Sequence, residues 1–189
     1  LSGQMTLTSS SSDTTAISII ADGLGSSLSS PNNLGVGDGL YVNSTGNLTI
    51  QATGGGSIDL KGYGTTTEAN QQNIEVAGGL NVLSSSGPIT IEGVSSLTYG
   101  TFIRSSTVPI VIGGKAATAV VTSTSNITII ENSLAHTNDA AKYNINTSGT
   151  TTIKPKSSSF SQEFYLSRFS FDNTLGDLTI GTKSNTSTI

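Results

Sequence analysis

The amino-acid sequence predicts an all-β fold, a parallel β-helix (a β-solenoid) with irregular corner loops. Three observations lead to this prediction. Short apolar-polar-apolar stretches recur along the chain, the spacing between them varies, and the dipeptides typical of tight hairpins are scarce. Repeated short strands joined by corners of variable length are typical of a solenoid, in which each unit stacks on its neighbours.

The clearest unit is the stretch 46–62. Leu48 and Ile50 lie on one side of an extended backbone, and Ile58 and Leu60 repeat this alternation after three glycines. Two such short strands cannot bury their apolar side alone, so similar units are expected above and below them. The residues predicted to face inward are Leu48, Ile50, Ile58, Leu60, Leu80, Val82, Ile89, Ile91, Leu178 and Ile180.

The spacing of the units separates the β-helix from its rival, a β-sandwich. The first apolar residues of successive units fall at positions 40, 48, 58, 74, 80 and 89. A sandwich built from hairpins would favour two-residue Asn-Gly or Asp-Gly turns, and Asp22-Gly23 and Asp38-Gly39 are the only such pairs. At roughly 20 residues per coil, we expect about nine coils and a shaft about 40 to 45 Å long.

The chain is expected to form one solenoid segment over residues 1–189, cut from a longer repetitive surface protein. Residues 21–39 predict a long loop, and residues 131–143 predict no more than a turn. Four of the five phenylalanines gather near the end of the chain. Residues 157–172 are therefore expected to form a local plug against the stack, and the alternative is an exposed aromatic binding strip.

Composition limits the possible partners. The 189 residues include 31 Ser and 28 Thr, but only 11% are charged, against about 25% in an ordinary domain. The net charge is -4 and the cations are scattered, so nucleic acid is not an expected partner. Cysteine is absent, which removes disulfides and thiol chemistry and is compatible with secretion.

A resemblance adds to this prediction. Thr152-Ile153-Lys154-Pro155, then Phe160-Ser161-Gln162-Glu163-Phe164, then Leu178-Thr179-Ile180-Gly181 resembles a repeat of the filamentous-haemagglutinin-like exoproteins of two-partner secretion. The resemblance is clearest over residues 149–189. It implies a right-handed parallel β-helix that forms the shaft of an extracellular bacterial surface protein, usually an adhesin. It also implies an outer-membrane secretion partner.

A catalytic site would need acidic or basic groups that converge in one cleft. Asp59, Glu75 and Glu92 could stack on one outward face, but solvated outward positions explain them more simply. His136 with Asp139 is the only His-carboxylate pairing close in sequence, and it has no second His. The sequence therefore predicts no enzyme, and no catalytic, cofactor-binding or metal residues.

Other motifs are also explained by strands and corners. Gly35–Gly39 lacks the spacing of a calcium roll, and Gly54–Gly56 lacks the Lys and Ser or Thr of a phosphate loop. An ice-binding ladder needs regular Thr-x-Thr pairs, whereas the central threonines are single and irregularly spaced: Thr49, Thr90, Thr128 and Thr179. Glycosylation sequons, at a number that chance explains, begin at Asn43, Asn47, Asn126, Asn146 and Asn185.

Together these features predict a structural and adhesive shaft on a bacterial surface that binds an unidentified receptor or glycan. One alternative is a self-assembling subunit of an extracellular filament or surface layer, in which open ends associate end to end. A second alternative is a glycan-active β-helix enzyme. The adhesin hypothesis predicts a monomeric segment, whereas the filament hypothesis predicts spontaneous filaments.

Overall fold

The computed structural model describes residues 3–22, 39–64, 72–94, 101–103, 110–114, 123–136, 143–161 and 164–185. The predicted loop at 21–39 lies almost entirely outside these residues. The described residues form sixteen strands and one turn of 3-10 helix at Leu166–Arg168. The prediction of an all-β chain is confirmed.

The strands are short, three to eight residues each. In chain order they are β1 (Gln4–Ser9), β2 (Thr15–Asp22), β3 (Leu40–Val42), β4 (Asn47–Ala52), β5 (Ser57–Tyr63), β6 (Ile74–Val76), β7 (Gly79–Ser84), β8 (Ile89–Gly93), β9 (Thr101–Ile103), β10 (Ile110–Gly113), β11 (Ile127–Ile130), β12 (Leu134–His136), β13 (Tyr143–Asn146), β14 (Thr151–Lys154), β15 (Phe169–Phe171) and β16 (Leu178–Ile180).

The strands belong to three parallel sheets, which the chain visits in the same order from β1 to β14. Sheet A has the order β1-β4-β7-β10-β13-β15, sheet B the order β2-β5-β8-β11-β14-β16, and sheet C the order β3-β6-β9-β12. Each strand up to β11 therefore pairs with the third strand after it, whereas β12 has no described successor in sheet C, and β13 and β14 pair with β15 and β16, the second strands after them. The pairings are parallel throughout these residues, as the sequence predicted.

The repeat is longer than the sequence suggested. The first two strands of sheet A begin at Gln4 and Asn47, 43 residues apart, and the last two begin at Tyr143 and Phe169, 26 residues apart. The expectation of about nine coils of about 20 residues is therefore wrong, because each repeat contains three strands rather than two. The six strands of sheet A span about 24 Å at the usual strand spacing.

The core lies between the sheets and is built by register. Ile58 of β5 is in register with Ile89 of β8, which is in register with Ile127 of β11, and these three side chains are buried. The predicted inward positions are confirmed where they lie in interior strands: Leu48, Ile50, Ile58, Leu60, Leu80, Val82, Ile89 and Ile91 are buried.

The last strand departs from that prediction. Leu178 is 37% exposed, so its assignment to the core is wrong, and Ile180 is only partly buried against the core. Both residues occupy inward register positions, opposite Thr151 and Ile153 of β14. The exposure has a simple cause, since β16 is an edge strand with no described strand on its other side.

Near the end of the chain, no described strand of sheet C lies between β14 and β15. Between β14 and β15 the described residues form bends and the short 3-10 helix. Phe160, Phe164 and Phe169 are buried here. The ring centroid of Phe164 lies 5.0 Å from that of Phe160 and 5.3 Å from that of Phe169, and Phe169 stacks on Tyr143 at 4.9 Å. Leu166 at the helix is exposed.

Two smaller predictions concern corners. The glycines Gly54–Gly56 do form the corner between β4 and β5. A side chain on Gly54 would collide with the backbone carbonyls of Ser10 and Ser11, and Gly55 has a φ of 89°. The expectation of no more than a turn at 131–143 is wrong, because Leu134–His136 forms β12.

Replacing Ile58 by Asp should unfold the stack around it. The side chain is fully buried between two strands, so an unpaired carboxylate there should lower the free energy of unfolding by more than about 3 kcal/mol. Urea unfolding followed by circular dichroism measures this. Thr128→Asp, on the outward side of β11, is the matched control and should change stability by less than about 1 kcal/mol. Equal stability of the two variants would contradict the inward assignment.

Candidate functional site

The outward side of sheet B collects most of the polar residues that the sequence singled out. Here it is called the sheet B face. A rank is used here for a row of register partners on adjacent strands. The central rank of this face consists of Asp59, Thr90, Thr128, Thr152 and Thr179. Neighbouring members of this rank lie about 4.8 Å apart, the spacing of adjacent strands. Threonines that are irregularly spaced in the chain are therefore regularly spaced on this face.

The ranks on either side are mixed. One contains Lys61, Glu92, Ile130 and Lys154. The other, just before each strand, contains Pro88, Asn126, Thr150 and Asp177, all exposed. The face therefore does not present the paired threonine ranks of an ice-binding ladder, and Thr49 lies apart on sheet A. It is a surface of mainly hydroxyl, amide and charged groups, interrupted by the apolar side chains of Ile20, Pro88 and Ile130.

Glu92 is the electrostatic centre of this face. Its carboxylate accepts a hydrogen bond from the Lys156 ammonium and lies 3.4 Å from Lys61 Nζ. Lys61 is in register with it on the next strand. The hydrogen bond from Lys156 and the two positive charges hold the pKa of Glu92 below its ordinary value, although partial burial opposes them. Glu92 therefore carries its charge at neutral pH.

The other two candidate carboxylates, Asp59 and Glu75, lie on different sheets. Asp59 is half-exposed on the same face as Glu92, as the sequence predicted. Glu75 is not, because it is 5% exposed in β6 of sheet C. The expectation that Glu75 is a solvated outward residue is wrong, and all three residues of β6 are buried, so sheet C is covered on both sides at this strand.

Sequence reasoning missed a buried polar cluster at the corner that follows sheet B. Glu131 is 1% exposed, and both of its carboxylate oxygens lie 3.3 Å from Asn73 Nδ2. The backbone N–H of Asn132 donates to Glu131 Oε1 at 2.9 Å, and that of Gly64 donates to Asn73 Oδ1 at 3.1 Å. Buried polar groups are tolerated in this way when each has a partner.

Glycine makes room for this carboxylate. Gly93 lies one repeat before Glu131, and a β-carbon on Gly93 would collide with the Glu131 carboxylate and with the Asn73 amide. Gly62 is in register with Gly93 in the repeat before that. The sequence signal was therefore a glycine at the same register position in two successive repeats, where the third repeat has Glu131 directly after β11. Burial raises the pKa of the Tyr143 hydroxyl, and the negative charge of Glu131 raises it further.

The remaining candidates form no chemical site in the described part of the chain. No group of three or more His, Asp or Glu side chains that could hold a metal ion occurs there. His136 ends β12 rather than lying in a polar turn, but its side chain, Asp139 and residues 35–38 lie outside the described residues. None of the described helices is long and apolar enough to cross a membrane.

Several of the sequon asparagines accept hydrogen bonds through their side-chain oxygens, among them one within a turn and two from a neighbouring repeat. Asn43 Oδ1 accepts from Thr45, and Asn126 Oδ1 accepts from both the backbone N–H and the hydroxyl of Thr150. Asn185 Oδ1 accepts from the Phe160 backbone N–H at 3.2 Å. These amides therefore tie neighbouring repeats or turns together.

Comparisons with protein-family models, with curated proteins and with solved structures found no match.

The ion pairs of Glu92 should make stability depend on pH. Because the folded pKa lies below the ordinary value of 4.5, the contribution is present above pH 4.5 and disappears as the pH falls through the lower folded pKa. Glu92→Gln should cost up to about 1 kcal/mol at pH 7 and low salt, since the pair is partly solvated, and progressively less as the pH falls below 4.5.

Thermal unfolding of both proteins between pH 7 and pH 2 measures this difference. Asp59→Asn is the matched control, because Asp59 lies on the same face and makes no ion pair with a described residue. A Glu92→Gln deficit that persists unchanged at pH 2 would show that the ion pairs are not its cause.

Gly93→Ala tests the buried cluster. The added methyl group should displace the Glu131 carboxylate and destabilise the protein by about 2 to 4 kcal/mol. Glu131→Ala alone should also destabilise, because it leaves the Asn73 amide without this acceptor. The double variant should be more stable than the sum of the two losses implies, by at least about 1 kcal/mol in a double-mutant cycle. Simple additivity in urea unfolding would exclude the predicted collision.

Proposed function

We propose that this chain is a section of a right-handed parallel β-helical shaft, displayed on a bacterial surface for attachment. The observation that carries the proposal is the rotation of strands β1 to β14 through sheets A, B and C, with parallel pairing to the third strand along as far as β11. A chain that visits three sheets in the same order in each repeat lengthens along one axis. Such an architecture is suited to projecting a surface rather than enclosing a substrate.

The right-handed course is supported by a general rule. Parallel strands of one sheet are joined by right-handed crossovers in about 98% of cases. Here the path from β4 through β5 and β6 to β7 connects two parallel strands of sheet A, and the rule therefore favours the right hand for this connection. The resemblance of residues 149–189 to the haemagglutinin-like repeat implies the same hand.

The sheet B face is the best candidate for the attachment surface. Its central rank is hydroxyl-rich, its flanks combine amide and charged groups, and it continues across five strands from β5 to β16. Hydroxyl and amide groups both donate and accept hydrogen bonds, as recognition of a glycan or a glycosylated receptor requires. The ligand class we propose is therefore a glycan or a glycoprotein on another surface.

A non-enzymatic role fits the electrostatics of this face. Glycosidases need one carboxyl group with a raised pKa as the general acid. Glu92 has a lowered pKa because two lysines neutralise it. This argues against the glycan-active alternative for the described residues.

The proposed location is extracellular, with an outer-membrane partner for secretion. The chain has no cysteine, and its surface is kept hydrophilic by Ser and Thr rather than by charge. Both features suit transit through an envelope where free thiols are a liability. The partner itself rests on the resemblance to two-partner secretion exoproteins.

Particles coated with the folded protein should adhere to at least one class of cell or immobilised glycan. The unfolded Ile58→Asp variant, coated at equal density, is the control and should not adhere, because the surface depends on stacked strands. Adhesion should also fall several-fold in Thr128→Glu/Thr152→Glu, which adds charge to the centre of the sheet B face. Microscopy of bound particles measures both effects.

Two results would count against the proposal. One is a lack of adhesion by the folded protein to all surfaces in the panel. The other is turnover of a polysaccharide by the folded protein that is lost in Asp59→Asn or Glu92→Gln, which would favour the enzyme.

A further inference from the structure

Lysines that are far apart in the chain gather along one side of the sheet B face. Lys61 and Lys154 belong to the same rank, which crosses the adjacent strands β5, β8, β11 and β14. Lys156, two residues after Lys154, reaches Glu92 of β8. These three lysines and Glu92 are called the lysine flank. Each of the four strands lies between two other strands of sheet B, so the exposure of the flank comes from the outward direction of its side chains.

The lysine flank is positive although the chain as a whole is negative. It has three cations and one anion, a charge of +2, and the rest of the chain has five cations and eleven anions, a charge of -6. Lys154 makes no ion pair with a described residue. Asp59 and Asp177 also lie on the sheet B face, but in the central rank and the opposite flanking rank. A local excess of positive charge of this kind attracts an anionic partner.

The flank also contains an apolar residue beside hydroxyl groups. Ile130 is half-buried on the outward side, in register between Glu92 and Lys154. Thr128 and Thr152 of the central rank lie on the same two strands as Ile130 and Lys154. Hydroxyl, apolar and cationic groups therefore occur together within two strand spacings, about 10 Å. A uronic acid sugar has three matching groups, which are its hydroxyls, the C–H face of its ring and its carboxylate.

Glu92 shows how these lysines hold a carboxylate. It accepts a hydrogen bond from Lys156 and lies 3.4 Å from Lys61 Nζ. The side chains of Lys61 and Lys156 are nevertheless 37% and 31% exposed. An ammonium group has three donors, so both lysines keep donors for a second carboxylate from solvent. Glu92 then competes with an anionic ligand for the same cations.

We propose that the sheet B face binds a linear polyuronate, a polysaccharide with a carboxylate on each sugar, with its chain parallel to the shaft. This inference rests on the proposed attachment function and names the ligand class of the same face. The strands are about 4.8 Å apart, which is close to the length of one pyranose unit in an extended chain. Successive sugars therefore meet successive strands, with their hydroxyls on the threonine rank, a ring face on Ile130 and carboxylates at Lys154 and Lys156.

Isothermal titration calorimetry with polygalacturonate and polymannuronate fragments tests the inference. The folded protein should bind at least one of them. It should bind the methyl ester of that polymer roughly tenfold more weakly or less, because the ester keeps the sugar chain and removes the charge. Binding should also weaken several-fold as the ionic strength rises from about 0.05 to about 0.5 M, since salt screens exposed charges.

Variants of the lysine flank should change this affinity in opposite directions. Lys154→Gln and Lys156→Gln should each weaken binding roughly three- to tenfold. Glu92→Gln should strengthen it several-fold, because the competing carboxylate is removed. Arg168→Gln is the matched control, since it removes the same charge from the 3-10 helix outside sheet B and should leave binding unchanged. Circular dichroism checks that every variant is folded.

Several results would overturn the inference. They are a lack of binding to both polyuronates, equal affinity for a polyuronate and its methyl ester, and unchanged affinity in the Lys154→Gln/Lys156→Gln double variant. Equal affinity for dextran sulfate or single-stranded DNA would show attraction of any polyanion and would overturn the choice of a carboxylate ligand. Particles that adhere to neutral glycans would still support attachment after any of these results, so the failure of one proposal is distinguishable from the failure of the other.

Discussion

The parallel pairing of each strand with the next strand of the same sheet, three places later as far as β11, is the constraint on which the rest of the structure depends. It places chemically similar side chains directly above one another, as with Ile58, Ile89 and Ile127, and so builds a continuous core from strands of only a few residues. Burial of each such side chain contributes about 1.5 to 3 kcal/mol. Because register alone defines the core, the corners are free to vary in length, and the repeats differ by many residues.

The same register gives one chemical group two different environments. Glu92 lies on the outward side of sheet B, where two lysines from other repeats neutralise it in partial contact with water. Glu131, one repeat later and one residue further along, lies inside the corner and is held by an amide and a backbone N–H. Alternation of side chains along a strand decides between these environments. Glycine at position 93 is what makes the inward carboxylate sterically possible.

Alternation also decided how much of the fold could be predicted from the sequence. It identified the inward residues of β4, β5, β7 and β8, because these strands are long enough to show a period of two. It could not show that a repeat has three strands, since Ile74-Glu75-Val76 and Leu80-Asn81-Val82 look alike but belong to sheets C and A. The exposure of Leu178 was equally hidden, because it depends on what lies on the next level and not on the local pattern.

The candidate surfaces were harder to predict for a related reason. Glu92 and Lys156 are 64 residues apart in the chain, and their contact depends on the lengths of all the corners between them. The threonine rank is likewise regular in space and irregular in sequence. Position within the stack likewise decides exposure, since Leu7 of β1 is 38% exposed although its register partner Ile50 of β4 is buried. The surfaces of this fold are therefore set by stacking and register and not by any local sequence motif.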